Sequence, residues 1–241
     1  MALLEVDGAS KAFGGLMAVN DVTFGVEKGE TVGLIGPNGA GKTTLFNLVN
    51  GFFPLTAGQV RFRGERIDGL KPHKVCRKGV ARTFQVVKPL QRMSVLDNVI
   101  ASSFLRFPTI GQARKNAEEV LEFTGLSSVS ATISKGLPLG LRKRLEIARA
   151  LATKPALLLL DEACAGLNPH ELDENIAIIQ RIRASGVTIL VIEHHMKVIM
   201  SISDRIVVLN YGQKIAEGLP ADVASNPEVV AAYLGGEAAH A

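Results

Sequence analysis

Residues 36–43, Gly36-Pro37-Asn38-Gly39-Ala40-Gly41-Lys42-Thr43, constrain this chain more than any other stretch. They fit the pattern G-x-x-x-x-G-K-[ST] and lie between a compact apolar run, Thr31–Ile35, and a helix-like segment, Thr43–Val49, that stops at Asn50-Gly51. A strand feeding a glycine-rich loop that opens a helix is the setting in which this pattern has a physical meaning. Glycines let the loop curl so that successive backbone N–H groups point at phosphate oxygens. The helix N-terminus adds its partial positive charge. Lys42 is expected to reach the β- and γ-phosphates of a nucleotide, the Thr43 hydroxyl to ligate Mg²⁺, and Thr44 to complete the cradle. The expected ligand is therefore ATP with Mg²⁺.

The rest of the chain suits a fold built around such a loop. Short apolar strands (Leu157–Leu160, Val187–Ile192, Ile206–Asn210) alternate with helical patterns in the second half. Continuous apolar strands of this kind indicate a largely parallel sheet buried on both faces. Nearer the N-terminus, Leu3–Val6, Val22–Val26 and Gln59–Arg63 read as strands, the latter two with apolar residues in alternation. From about Val86 the pattern turns helical. Ser94-Val-Leu-Asp97 has capping-box spacing; Ala113–Thr124 places Ala117, Val120, Leu121 and Thr124 on one face ahead of Gly125; and Leu141–Ala152 repeats at helical spacing. Asn168-Pro169 opens a further helix, expected to run to about Ala184.

Composition narrows the classes. With 241 residues, 47% of them hydrophobic and 21% charged, the chain can bury a core without staples. Cys76 and Cys164 match no zinc or redox spacing, so a reduced, cytosolic compartment is expected. No signal peptide is recognised, and the longest apolar runs, such as Ala156–Leu160 and Ile189–Ile192, fall far short of a spanning helix. Work at a membrane would then be peripheral and through a partner. Ten Lys or Arg against two acids between Arg61 and Arg92 are spread over strand, turn and helix, and read as solvated surface rather than a nucleic-acid site.

The run Leu157-Leu-Leu-Leu-Asp161-Glu162 ends a buried strand in two carboxylates. Asp161 is expected near the Mg²⁺ shell, and Glu162 to polarise a water against the γ-phosphate. With these motifs in order, the chain resembles an ABC-transporter nucleotide-binding subunit along nearly its whole length. That resemblance implies an α/β, RecA-like P-loop NTPase core with a largely parallel sheet, an N-terminal antiparallel β subdomain and an inserted α-helical subdomain. Residues 1–30 and 58–68 would form the antiparallel portion, 31–57, 69–85 and 154–218 the nucleotide-binding core, 86–153 the helical insert, and 219–241 a C-terminal helix and tail. It also implies that Phe13 stacks on adenine, that Gln85 in Arg82-Thr-Phe-Gln85 senses Mg²⁺ and the γ-phosphate, that His194 is the switch contacting the γ-phosphate, and that residues 163–169 cross a dimer interface. The phrases Gly36–Asn47, Arg82–Gln85, Gly166–Pro169 and Glu193–Met196 are similar to those of branched-chain amino-acid importer ATPases, a group that includes transporters of urea, short amides and aromatic acids. The partners implied are a second ATPase subunit, two integral-membrane permeases at the inner face of the plasma membrane, and, indirectly, a periplasmic solute-binding protein. Long coiled-coil arms or a second cassette, which would mark the non-transport relatives, are not seen in the sequence.

One departure stands out. The family's signature loop usually reads LSGGQ, where this chain has Leu137-Pro138-Leu139-Gly140-Leu141. The serine is missing, Pro138 has no N–H to donate, and only Gly140, expected to face the partner's ATP, is kept. Either the chain works beside a different ATPase with one strong and one weak site, or the helix dipole behind the loop suffices. Both remain open from sequence.

Overall fold

The computed structural model describes residues 2–84 and 89–237, with side chains described through Tyr233. They fall into two compact units. One comprises residues up to Val75 together with Thr188 onward, and the other runs from Cys76 to Val187.

In the first unit, β1 (Ala2–Phe13) and β2 (Leu16–Glu27) form a long antiparallel hairpin. It is extended by β4 (Ala57–Phe62) and β5 (Glu65–Arg66) in the order β2-β1-β4-β5. The sequence suggested only Leu3–Val6 and Val22–Val26. The strands are more than twice as long because four register irregularities break the alternation that would have revealed them. Beside this sheet stand β3 (Thr31–Ile35), β8 (Thr188–Ile192), β9 (Arg205–Asn210) and β10 (Gln213–Gly218). Strand β3 pairs in parallel with both β8 and β9, and β10 closes the edge antiparallel to β9. All five residues of β3 and of β8 are buried, as expected for strands covered on both faces. Helix α1 (Lys42–Val49) follows the glycine-rich loop, α2 (Pro72–Lys78) lies at the boundary of the units, and α7 (Met196–Ile202), α8 (Pro220–Ser225) and α9 (Pro227–Glu237) complete the helical set. The sequence had suggested a single C-terminal helix where α8 and α9 stand. Pro227 fits the first turn of a new helix but not the interior of a continuous one.

In the second unit, β6 (Val80–Arg82) pairs in parallel with β7 (Leu157–Asp161). Helices α3 (Val95–Ser103), α4 (Ile110–Phe123) and α5 (Leu139–Leu151) share one apolar core that includes Val99, Ala117, Leu121, Leu126, Leu145 and Ala148. Ser94 caps α3 by accepting from Asp97 N–H at 3.0 Å. Helix α6 (Pro169–Ala184) starts with a full capping box, Asn168 and Glu171 each accepting from the other's backbone N–H. The chain is thus α/β, with parallel strands, an antiparallel β subdomain and a separate helical cluster.

Candidate nucleotide site

Parallel pairing decides where the phosphate-loop residues emerge. Leu34 is opposite Ile192 and Ile35 is opposite Val208, so Gly36 and His194 leave the sheet at the same end. His194 is exposed there, and so is His195, which N-caps α7 without a side-chain bond.

The loop itself is shaped by what surrounds it. Gly36 has φ +148°, and a Cβ there would sit 2.1 Å from the Leu209 carbonyl oxygen. Gly41, at φ +99°, N-caps α1, and a Cβ on it would meet the Ala18 carbonyl at 2.5 Å. Gly212 donates its N–H to Ala40 O at 3.1 Å and accepts from Asn20 N–H at 2.8 Å, so the β9–β10 turn props the loop from outside. The buried Lys42 ammonium donates to the carbonyls of Gly36 at 2.7 Å and Pro37 at 2.8 Å. It spans the loop's mouth, the position from which it can reach an anion. Asn38, Gly39 and Thr43 are exposed, and Pro37 and Thr44 half-buried.

Replacing Gly36 by alanine is expected to cost about 2–3 kcal/mol through the forced contact and strained φ. The melting temperature should fall by roughly 5–10 °C, with weakened Mg-ATP binding. Gly39, also at positive φ but with open space around it, should cost only about 1 kcal/mol. Equal melting shifts for G36A and G39A in calorimetry would refute the steric account.

Phe13 ends β1 and is 42% exposed. The Phe53 ring meets it edge-on at 5.2 Å and 81°, and the Lys11 ammonium lies 5.0 Å from its centroid. A ring braced in this way offers a flat, electron-rich surface to a base.

The second unit carries the carboxylates. Asp161, 2% exposed at the end of β7, accepts from Arg82 Nη2 at 2.7 Å through Oδ2, and its own N–H donates to Thr83 Oγ1 at 3.1 Å. Its Oδ1 is buried without a hydrogen-bond partner. An anionic oxygen in this condition suits a hard cation such as Mg²⁺, which commonly takes one or two protein oxygens and completes its shell with phosphates and water. Among the described residues no cluster of three or more His, Cys, Asp or Glu could hold a metal ion. Glu162, half-buried, has φ +48°, an uncommon conformation for a side-chain-bearing residue. Its carbonyl accepts from Lys143 Nζ at 2.5 Å.

Gly140 lies in the first turn of α5, whose N-cap is Pro138 with no side-chain cap. A Cβ at Gly140 would meet Glu171 Oε1 at 2.5 Å, and one at Gly166 would meet Leu139 Cδ2 at 3.3 Å. Gln85 lies outside the described residues. The first unit thus holds Phe13, residues 36–44 and His194, and the second holds Gly140, Asp161 and Glu162. Sequence reasoning gave no part to Arg82, Lys143 or the Gly212 prop. Their partners are 79, 19 and 172 or more residues away in the chain, and no local pattern announces them.

Comparison with known proteins is consistent with this geometry. A family model described as "ABC transporter" matches residues 19–165, and one described as "Branched-chain amino acid ATP-binding cassette transporter" matches residues 213–239. The high-affinity branched-chain amino acid transport ATP-binding protein BraF of Pseudomonas aeruginosa is 44% identical, covering 97% of this chain and 98% of the relative. The lipopolysaccharide export system ATP-binding protein LptB of Escherichia coli is 35% identical over 98% of each. A crystal structure of an ATP-binding cassette of an ABC transporter in its ADP conformation superposes with a TM-score of 0.89 at 32% identity, covering 98% of this chain and 99% of that one. The chain belongs to the ABC-transporter family and is an ATP-binding, ATP-hydrolysing cassette of a transport system.

Proposed function

We propose that this cassette drives an importer of branched-chain amino acids or a related small polar solute such as urea, an amide or an aromatic acid. The observation that carries this reading is the 44% identity to BraF over almost the whole chain, joined to the separate match of residues 213–239. The chain would pair face to face with a second ATPase subunit and dock two integral-membrane permeases, themselves served by a periplasmic solute-binding protein. None of its described helices is long and apolar enough to cross a membrane, so attachment on the cytoplasmic face would come through the permeases.

In this reading Phe13 stacks on adenine and the amides of residues 36–44 hold the phosphates. Lys42 leaves the Gly36 and Pro37 carbonyls for the stronger acceptors of the β- and γ-phosphates. Thr43, Gln85 and Asp161 would hold Mg²⁺, which supplies charge neutralisation across the phosphates. Glu162 orients and deprotonates water as His194 contacts the γ-phosphate. Gly140, at the N-terminus of α5, offers that helix's positive end to the partner's nucleotide.

The test is reconstitution with the permeases in proteoliposomes. Leucine, isoleucine or valine delivered by the binding protein should raise ATP hydrolysis several-fold, with solute accumulating inside vesicles of the importing orientation. Stimulation by an amphiphile such as lipopolysaccharide, with no response to small solutes, would replace this reading with an export system.

A further inference from the structure

We propose that Lys143 is a positioning residue for hydrolysis: by holding the Glu162 carbonyl it fixes the direction of the Glu162 side chain and links it to the first turns of α5. The inference deepens the proposed function and rests on Glu162 as the base.

The geometry converges on one peptide. Lys143 is buried, with 6% exposure, and its ammonium donates to Glu162 O. The same oxygen accepts from Ala165 N–H at 3.3 Å, so both lone-pair directions are engaged. The next carbonyl, Ala163 O, accepts from the buried Asn175 Nδ2 at 3.2 Å. Two consecutive carbonyls are therefore pinned from two helices. What they pin is the left-handed backbone of Glu162, at φ +48°. A residue with a side chain is strained there and stays only where its surroundings impose it. Rotation back to negative φ would swing Cβ, and the carboxylate with it, to a different direction.

Lys143 also stands on the element that faces the other nucleotide in a paired cassette. It is one turn into α5, whose opening residues are packed on the segment following Glu162. Leu139 lies against Gly166, Gly140 against Glu171, and Arg144 forms an ion pair with Glu174. These contacts make the start of α5 and residues 162–174 move together. Occupancy at the α5 N-terminus by the partner's phosphate would then be felt at this chain's own Glu162 carbonyl.

The test compares K143M, K143R and E162Q in the full chain assembled with the partner with which it hydrolyses ATP. K143M should lower kcat by about tenfold or more, because a small misplacement of a catalytic group suffices. The Kd for Mg-ATP should stay within about twofold, the phosphate loop being untouched. K143R, which keeps a cationic donor, should recover most of the loss. Unchanged kcat in K143M overturns the proposal. So does a parallel fall of melting temperature, ATP affinity and kcat in both Lys143 variants, or failure of both to fold, since Lys143 would then be merely structural. Should E162Q hydrolyse normally, the base assignment itself fails; should E162Q be inactive while K143M is fully active, only the link fails.

Discussion

Glu162→Gln is expected to bind Mg-ATP with near-normal affinity and to hydrolyse it slower by roughly 10²- to 10⁴-fold, the range a positioned general base supplies. The substitution is nearly isosteric, and the amide keeps hydrogen-bonding capacity while losing basicity. The Glu162 backbone bonds, through its carbonyl to Lys143 and Ala165, do not depend on the carboxylate. Stability should therefore change little, and the loss should appear almost wholly in kcat. With hydrolysis blocked, ATP should hold two cassettes together, visible as a shift toward dimer in gel filtration that ADP does not produce. Glu162 is a cleaner probe than Asp161. The latter is buried against Arg82, and removing its charge would break that buried ion pair as well as altering the proposed metal ligand set. Normal turnover in E162Q would remove Glu162 from the mechanism.

Lys42→Ala is expected to act on binding instead. A charge-assisted bond from the ammonium to phosphate contributes about 1.5–3 kcal/mol, so the Kd for Mg-ATP should rise by roughly ten- to a hundredfold in titration calorimetry. The residue also has a structural part, because its ammonium bonds the Gly36 and Pro37 carbonyls. A modest fall in melting temperature without ligand should accompany the loss of affinity. Nucleotide should also protect K42A less against heat than it protects the parent, since the ligand stabilises in proportion to its occupancy. An unaltered Kd would refute the proposed cradle.

Much of this was legible in the sequence, and unevenly so. The phosphate loop was readable because its chemistry is local: glycines, a lysine and a hydroxyl residue at fixed spacing between a strand and a helix. The cap and first-turn proline at Asn168-Pro169 and the buried face of α4 were readable for the same reason, each being a pattern within one or two turns. The β1–β2 hairpin was underestimated because its irregular register disguises the alternation. Strand β6 went unnoticed because it is only three residues long, and helix α2 because it is short and rich in polar residues. Long-range partners could not be read at all. Arg82 was visible as part of a phrase, but its pairing with Asp161 arises only because β6 and β7 lie side by side, Arg82 opposite Leu159. Lys143 looked like one more cation on a basic helix. The environment that gives it a role, a carbonyl at the end of a strand, is created by folding.

The pairing of β8 on β3 has a consequence for how such a chain tolerates change. Strand residues point alternately to opposite faces, so a slip of one position would turn His194 over as well as carry it about 3.3 Å along the strand. Because both strands are buried end to end, no solvent-facing edge is available to absorb such a slip. Exchanges among Val, Ile and Leu that conserve volume should leave the alignment intact. A single inserted or deleted residue within Thr188–Ile192 should displace His194 relative to the end of β3, even in a protein that still folds.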